Sequence, residues 1–483
     1  MRSIQSLRAP QLATLADTRV PLNESCRNMR PTRTAFVFLA VLAVILVAGV
    51  LSPLVTFAVL AGWAILTLAC STIMTITTAV LHLRGTSAPP SRSAPPITER
   101  MPVVSIMIPL FTEQEIAGRL LERLKALEYP HELLDILLVL EEDDDTTLTA
   151  LQNTVLPDWI RSIRVPRGII QTKPRALNYA LDFCRGSIIG VYDAEDAPAP
   201  DQIRKMVLQF STSDPKTGFL QGVLDFHNAD SNWLARCFTV EYAAWFRVIL
   251  SGLSKLNLAI PLGGTTLFFR RDALEHLGGW DAHNVTEDAD LGIRLARHGY
   301  QTELLASTTQ EEANARMWPW IKQRSRWLKG YAVTYGVHMR NPAALWRDLG
   351  ASRFFGIQLI FAGTLSQFLL APLLWSFWLV PLSLPHPLVG VMPHWGFIAI
   401  ALTFFASEIA GIFVGMIAVR ATGKPRLMKW VPTLHLYYPL GAIASYKGIC
   451  ELARKPFYWD KTAHGIMTPT LPPEPPAHPV SDG

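Results

Sequence analysis

Long stretches without charged residues alternate with segments of ordinary polar content along this chain. Residues 34–83 contain no Asp, Glu, Lys or Arg, and residues 354–419 contain Glu408 alone. As helix, the first stretch is long enough to cross a hydrocarbon core of ~30 Å twice. Pro53 interrupts the first stretch, and the Pro-rich run 381–393 interrupts the second. The pattern therefore predicts four membrane spans, near 34–52, 55–80, 355–379 and 396–419, in two hairpins (34–83 and 351–420).

The positions of Lys and Arg predict how these hairpins are oriented. Residues 1–33 contain six Arg, and residues 420–429 contain four basic residues, whereas residues 380–395 contain none. We therefore expect a basic cytosolic N-terminus over 1–33, with 380–395 on the outer side. We expect no cleaved signal peptide at the N-terminus, because the charged lead is too long and the apolar stretch has the length of two spans. The expected location is the cell inner (cytoplasmic) membrane, with several passes and the central region in the cytosol.

The C-terminal part does not fit a simple hairpin. Residues 431–446 are apolar but short, and Pro439 interrupts them. A full crossing would place the basic residues that follow on the outside, so a re-entrant or interfacial segment is favoured over a crossing. We therefore interpret 421–468 as such a segment with a cytosolic tail, the Pro-rich residues 469–483 as disordered, and 84–97 as a linker.

Residues 98–350 have the pattern of an α/β domain. Short apolar runs at 103–109, 134–140 and 187–192 predict buried strands, and 115–127 has apolar residues at helical spacing. This alternation favours a mostly parallel sheet with helices on both faces. Ligands bind beyond the carboxyl ends of the strands in such sheets, which is where the acidic residues fall.

Asp193 and Glu195 directly follow the third predicted strand. Carboxylates in this position can bind Mg²⁺ or Mn²⁺, which would neutralise a diphosphate leaving group. A solvated acidic turn is the structural alternative. Lys173, near the start of a predicted helix, is either a phosphate contact or a surface lysine.

A second acidic group, Thr286-Glu287-Asp288, precedes a predicted helix. Asp288 would be a general base near the positive end of that helix, or Thr286 and Asp288 would simply cap it. Further on, Gln323, Arg326 and Trp327 share one helix face. This face would suit a diphosphate beside a sugar ring, or it belongs to a basic interfacial helix.

The order of these motifs resembles the D, DxD, TED and QxxRW series of family 2 inverting glycosyltransferases. That membrane-embedded group includes cellulose, chitin and hyaluronan synthases. The resemblance covers about 100–330 and implies a GT-A-like domain that takes a UDP-sugar.

The resemblance also implies a role for each matching residue. Phe111 and Glu113 would hold the uracil, with Asp143 or Asp144 as the nucleotide-binding first Asp. Asp193 and Glu195 would bind the metal, although Glu replaces the family's second Asp and Asp196 is an alternative ligand. Asp288 would be the catalytic base. Glu287, Gln323, Arg326 and Trp327 would contact the acceptor and the diphosphate. Gln221 would belong to the strand on the acceptor side. Residues 456–465 would be a cytosolic tail that packs near the site.

The expected reaction is inverting transfer of a hexosyl group from a UDP-sugar to a growing polysaccharide, with or without coupled translocation. A single transfer to a lipid-linked or other acceptor is the alternative, and a nucleotide-binding transporter is a remote one. Four spans are few for a polysaccharide channel, so a homo-oligomer or an export partner would have to add helices. The formal net charge of +5 is too small to indicate nucleic acid.

Two further features suggest contact with the membrane. Residues 232–255 carry Phe238, Tyr242, Trp245 and Phe246 at helical spacing. This stripe predicts an amphipathic helix in the headgroup layer, or else a helix that faces the core. Glu408 lies within a predicted span and is either functional or hydrogen-bonded to a neighbouring helix.

Overall fold

The computed structural model describes residues 11–29, 31–86, 101–113 and 116–454. The predicted tail contact at 456–465, the predicted disorder at 469–483 and most of the linker 84–97 lie outside the described residues.

One eight-stranded sheet forms the centre of the cytosol-facing domain predicted for 98–350. Its order is β3-β2-β1-β4-β7-β6-β8-β5. The strands are β1 (Val104–Leu110), β2 (Leu134–Glu141), β3 (Ile160–Val165), β4 (Ile188–Val191), β5 (Ala197–Pro198), β6 (Thr217–Phe226), β7 (Leu267–Arg270) and β8 (Gln301–Glu311).

Most of these strands run in one direction. β3, β2, β1 and β4 pair in parallel, and β8 is parallel to β6. β7 is antiparallel to both β4 and β6, so β6 points the same way as β4, and only β7 and the short β5 are reversed within this described sheet. The predicted fold class, a mostly parallel sheet flanked by helices, is confirmed. The carboxyl ends of β1, β2, β4 and β8 therefore meet at one edge.

Helices cover both faces of the sheet, as the continuous burial of β1 and β2 requires. One face packs with α4 and α7, and the other with α6 and α11. The helices of this part of the chain are α1 (11–18), α2 (Pro31–Leu51), α3 (Pro53–Thr86), α4 (Ile116–Lys125), α5 (Asp145–Gln152), α6 (Lys173–Leu181), α7 (Gln202–Thr212), α8 (Trp233–Ala243), α9 (Leu250–Lys255), α10 (Arg271–His276) and α11 (Glu287–Arg297).

The remaining helices lead from the domain into the apolar part. They are α12 (Met317–His338), α13 (Pro342–Ile357), α14 (Thr364–Leu369), α15 (Ala371–Ser376), α16 (His394–Arg420), α17 (Leu434–Tyr437) and α18 (Pro439–Arg454). A π-helical segment (Gln358–Gly363) joins α13 to α14, and 3₁₀ segments span Cys26–Asn28, His131–Leu133, Phe377–Leu379 and Pro425–Thr433.

Three helices of the described chain are long and apolar enough to cross a membrane: Thr32–Leu51, Pro53–Gly85 and His394–Arg420. A fourth crossing is formed if the bent pair Pro342–Leu369 and Ala371–Leu379, which meets at 56°, counts as one span. These helices lie where the four spans are predicted, but the third is broken. Pro372 at the start of α15 explains the break, since proline cannot continue the hydrogen bonding of a helix.

The segment predicted to be re-entrant or interfacial lies against the domain. Residues 431–446 are divided between a 3₁₀ segment, α17 and α18, and α18 packs along α12. The buried Lys329 of α12 forms an ion pair with Glu451 of α18 at 3.1 Å. Neither α17 nor α18 is among the described helices that could span a membrane.

The aromatic stripe of 232–255 faces protein, as in the core-facing alternative. Phe238 and Phe246 are buried, and Tyr242 packs on Phe226 and Trp327. The helical run from α8 to α9 is apolar on its other side as well, where Ala243 and Val248 pack with α3 and α16. The run therefore joins the domain to the long apolar helices.

The close contact between α9 and α3 allows a test of whether the domain and the apolar helices form one folded unit. A Cβ added at Gly252 of α9 would lie 2.3 Å from Thr78 Cβ and 2.4 Å from Thr78 Cα of α3. We expect Gly252→Ala to destabilise the protein by ~1–3 kcal/mol, measured as thermal unfolding in detergent. Gly62→Ala on α3, where nothing lies within 4 Å, is the control and should not lower stability. Equal stability of both variants would contradict the close contact.

Candidate active site

A cavity of about 1420 Å³ lies at the carboxyl edge of the sheet. Ten of the predicted site residues line it: Phe111, Glu113, Lys173, Asp193, Glu195, Glu287, Asp288, Gln323, Arg326 and Trp327. The same cavity continues between α3, α14, α15 and α16, where Ser71, Gln367 and Glu408 line it. One space therefore connects the sheet edge with the apolar helices.

The loop after β1 is held by Asp144. The Asp144 carboxylate caps α5 by accepting from the Thr147 backbone N–H (3.1 Å), and it also accepts from the Thr112 N–H (2.6 Å). Thr112 has a φ of 55°, a left-handed conformation that this bond helps to hold. Phe111, 46% exposed, thereby lies on the cavity wall. Asp144 is thus a buried support of the loop and does not itself line the cavity.

Glu141, rather than Asp143, lines this part of the cavity. Both Asp143 oxygens accept from Gln171 Nε2 at 2.9 Å, outside the cavity. Glu141 is the last residue of β2 and is buried on the cavity wall. Burial raises the pKa of Glu141 to about 7, opposed by Arg175 and supported by Asp143 and Asp17. The sequence points to an acidic run here, but the choice between Asp143 and Asp144 overlooked the acid on which the strand ends.

Lys173 and Asp193 form the central ion pair of the cavity. Lys173 Nζ donates to Asp193 Oδ1 (2.6 Å) and to the Gly264 carbonyl oxygen (2.8 Å). Burial alone would lower the pKa of Lys173, but Asp193, Asp288 and Glu287 outweigh it and hold that pKa above its ordinary value. Lys173 is therefore a charged cavity residue and not a surface lysine.

The turn after β4 distinguishes Glu195 from Asp196, the two alternatives for the second metal ligand. Asp196 is buried, accepts from the Asp193 N–H (2.8 Å) and is bonded to Thr265, so it fixes the turn. Burial, then Asp193 and Glu195, raises the pKa of Asp196 well above its ordinary range. Asp193 and Glu195 line the cavity and Asp196 does not. Glu195 is thus the better placed second carboxylate for a cation.

Glu311, at the end of β8, adds a further acid that sequence reasoning missed. It lines the cavity, and burial together with the charges of Asp196 and Glu195 raises its pKa well above the ordinary range. Among the described residues no group of three acidic, His or Cys side chains could hold a metal alone. Mg²⁺ commonly binds one or two carboxylates and takes its other ligands from water and phosphate. Asp193 and Glu195 fit that kind of site.

The first turn of α11 carries the candidate base. Thr286 occupies the N-cap position, but its side chain makes no capping hydrogen bond. Asp288 is 7% exposed and lines the cavity, and its Oδ1 has no hydrogen-bond partner among the described residues. Burial and the neighbouring Glu287 raise the pKa of Asp288 well above its ordinary range, against the effect of Lys173. A carboxyl group on the cavity wall with a raised pKa is a candidate proton acceptor.

The face of α12 with Gln323, Arg326 and Trp327 borders the same space. Gln323 Oε1 accepts from Asn314 Nδ2 at 2.9 Å, which fixes the amide. Trp327 packs beside Tyr242, with ring centroids 6.2 Å apart. Of the residues that favour an interfacial helix, Trp320 and Lys329 are buried inside the protein, whereas Trp318 is 56% exposed.

Other residues hold the site without lining it. Gln221 of β6 is buried, and its Oε1 accepts from the Gly263 N–H (2.9 Å) while its Nε2 donates to the Thr265 carbonyl (3.2 Å). Gln221 thus supports the loop that carries the Gly264 carbonyl, which was not apparent from its place in a strand.

Comparisons with known proteins agree with this geometry. Residues 102–330, which include the whole sheet, match the family described as "Glycosyltransferase like family 2". These residues are therefore similar to the domains of that family.

Two curated relatives each match about half of this chain. The Probable glycosyltransferase YdaM of Bacillus subtilis (strain 168) is 29% identical over 235 residues, 48% of this chain and 56% of the relative. A beta-monoglucosyldiacylglycerol synthase of Synechocystis sp. is 29% identical over 253 residues, 50% of each chain. The chain thus spans about half the length of these relatives.

A solved structure shares the fold. The mannosyltransferase PcManGT from Pyrobaculum calidifontis, in complex with GDP-Man and Mn²⁺, has a TM-score of 0.50 and 18% identity. The match covers 78% of this chain and 99% of that one. It confirms the GT-A-like architecture of the domain.

The approach of α12 to α11 gives a test of the site geometry. A Cβ added at Gly330 of α12 would lie 2.1 Å from Thr286 Cγ2, next to Glu287 and Asp288. Gly330→Ala should push α12 away and lower kcat/KM for sugar transfer at least about tenfold, because small displacements of site groups are costly. Gly336→Ala on the same helix, where nothing lies within 4 Å, should keep full activity. Similar losses in both variants would show that helix composition, not this contact, matters.

Proposed function

We propose that this protein is a membrane-bound inverting glycosyltransferase that moves a hexosyl group from a nucleoside diphosphate sugar to an acceptor hydroxyl. The observation that carries this proposal is the Asp288 carboxyl group on the wall of a cavity that also contains the Lys173–Asp193 pair and Arg326. A base, cations and a wall for the nucleoside thereby share one space.

The donor would lie along the carboxyl edge of the sheet. Phe111 offers an exposed ring for stacking on the base, and Glu113 and Glu141 offer oxygens on the same wall. The diphosphate would lie near Lys173 and Arg326, where positive charge stabilises the leaving nucleotide. UDP is the donor nucleotide that we propose, on the motif resemblance.

Asp288 would take the proton of the acceptor hydroxyl as the oxygen attacks the anomeric carbon. The bond between that carbon and the diphosphate breaks, the electron pair leaves with the nucleotide, and the configuration inverts. Glu287, Gln323 and Trp327 would hold the acceptor and the sugar ring against this attack, since all three line the cavity beside Asp288.

A divalent cation fits the site chemically. Asp193 and Glu195 would hold Mg²⁺ or Mn²⁺, which would supply positive charge to the diphosphate. Lys173 already bonds one Asp193 oxygen and would contribute to the same neutralisation.

The acceptor would reach Asp288 from the side of the apolar helices. The cavity continues from Asp288 past Tyr242 to Gln367 and Glu408. The basic residues that flank the predicted spans support a domain on the cytosolic face of the inner membrane. A growing polysaccharide is the acceptor that we propose, with a lipid-linked acceptor as the second candidate. The second is favoured by the small number of described helices that could surround a channel.

The base assignment is tested by Asp288→Asn. The amide keeps the shape but cannot accept a proton, so UDP release from a UDP-sugar should fall at least about 100-fold while UDP binding remains measurable. Both are measured on the purified protein with several UDP- and GDP-sugars. Asp158→Asn, at an exposed residue outside the cavity, should retain turnover. Retained turnover of Asp288→Asn would contradict the assignment, and no nucleotide release by wild type with any sugar would contradict the proposed function.

Product size distinguishes the two acceptors. Purified enzyme incubated with its UDP-sugar should make chains of increasing length if it extends a polysaccharide, because the product then remains the next acceptor. A product that carries one added sugar on lipid, whatever the incubation time, would instead establish single transfer. Gel filtration and mass spectrometry of the radiolabelled product measure this directly.

A further inference from the structure

The segment 11–28 folds back onto the domain beside the candidate nucleotide site. The Asn178 side chain of α6 donates to the Ala16 carbonyl oxygen at 3.1 Å, and Arg19 forms an ion pair with Asp182. Farther along, the Cys26 N–H donates to Asp281 Oδ2 at 2.7 Å. These contacts tie the segment both to α6, which begins at Lys173, and to the loop that precedes Glu287.

Asp17 of this segment holds a buried arginine. Arg175 Nε donates to Asp17 Oδ1 at 2.6 Å, and Arg175 Nη2 donates to the Pro166 carbonyl oxygen at 2.8 Å. The Arg175 side chain is completely buried. A Cβ at Gly168 would be 2.3 Å from Arg175 Nη2, so the guanidinium fills its space closely.

The same guanidinium forms a longer ion pair with Glu141, without a hydrogen bond. Arg175 Nη1 lies 3.6 Å from Glu141 Oε2, and neither atom has a hydrogen-bond partner among the described residues. Glu141 lines the cavity. Asp17 therefore competes with Glu141 for one cation, and Asp17 has the shorter contact.

We propose that Asp17 and Arg175 are positioning residues for Glu141: by drawing Arg175 to itself, the segment 11–28 leaves a Glu141 oxygen available on the cavity wall to contact the nucleoside of the donor. This rests on the proposed function, because it needs a nucleotide in the cavity. The segment before the first membrane helix is then a working part of the nucleotide site.

The charges around Glu141 determine the sign of the pH dependence. Burial, then Asp143, Asp17 and Asp144, raises the pKa of Glu141 to about 7, and Arg175 opposes them. Ionised Glu141 accepts a hydrogen bond from a ring N–H of the base, so donor binding should strengthen as the pH rises through about 7. Removing the Asp17 charge lowers this pKa directly and also frees Arg175 to pair with Glu141.

The test measures UDP-glucose and GDP-mannose binding to the full-length protein by calorimetry between pH 6 and pH 8.5, without acceptor. Asp17→Asn should move the binding midpoint at least about one pH unit lower and should weaken binding severalfold at pH 8.5, because Arg175 then pairs with the ionised Glu141 that would contact the donor. Asp17→Glu, which keeps the carboxylate, should retain the wild-type midpoint. Arg175→Gln should shift it upward, so a second variant remains if Asp17→Asn does not fold.

Arg19→Gln is the matched control, because Arg19 ties the same segment to the same helix without touching Arg175. It should leave the midpoint unchanged, whereas a merely structural role of the segment would make it behave like Asp17→Asn. Coincident pH profiles of wild type, Asp17→Asn and Arg175→Gln would overturn this inference alone. Wild-type protein that binds neither nucleotide sugar at any pH would overturn the proposed function, and this inference with it.

Discussion

The site depends on keeping several acids together in one buried space. Asp193, Glu287 and Asp288 all raise the pKa of Lys173, and the Lys173 ammonium in turn opposes the raised pKa values of Glu287, Asp288 and Glu311. Burial of unpaired carboxylates is costly, so acids in such a place either pair with a cation or become protonated. Lys173, with Arg326 near it, lets the acids remain close without a bound ligand. The acids outnumber the cations in this space, and a divalent cation bound with a diphosphate would balance that excess.

The position of Lys173 and its partners follows from the sheet. β1, β2, β4 and β8 point the same way, so the residues after each strand converge at one edge. Lys173 begins α6 and Glu287 begins α11, which brings both helix starts to that edge. The contact of Gly330 with Thr286 then brings α12, and with it Arg326, against the same space. The site is thus held by strand ends, two helix starts and one close helix contact.

The apolar helices are part of this arrangement rather than a separate anchor. The run from α8 to α9 packs on the domain with Phe238 and Tyr242 and on α3 and α16 with Ala243 and Val248. Lys329 and Glu451 join α12 to α18 in the same way. Because the cavity lies between these layers, a movement of one layer changes the site in the other.

The sequence by itself determined the apolar helices, the mostly parallel sheet and ten of the residues that line the cavity. Uncharged stretches can be buried in hydrocarbon at little cost, and strand ends in a parallel sheet have to meet, so Asp193, Glu195 and Asp288 were predictable. Tertiary structure alone decided which acid of the run 141–145 faces the cavity, because β2 continues to Glu141 and Asp144 turns back to cap α5. It also decided that the aromatic stripe of α8 faces protein, since both sides of that helix are apolar. The docking of Asp17 on Arg175 joins residues far apart in the chain, and no local pattern records such a contact.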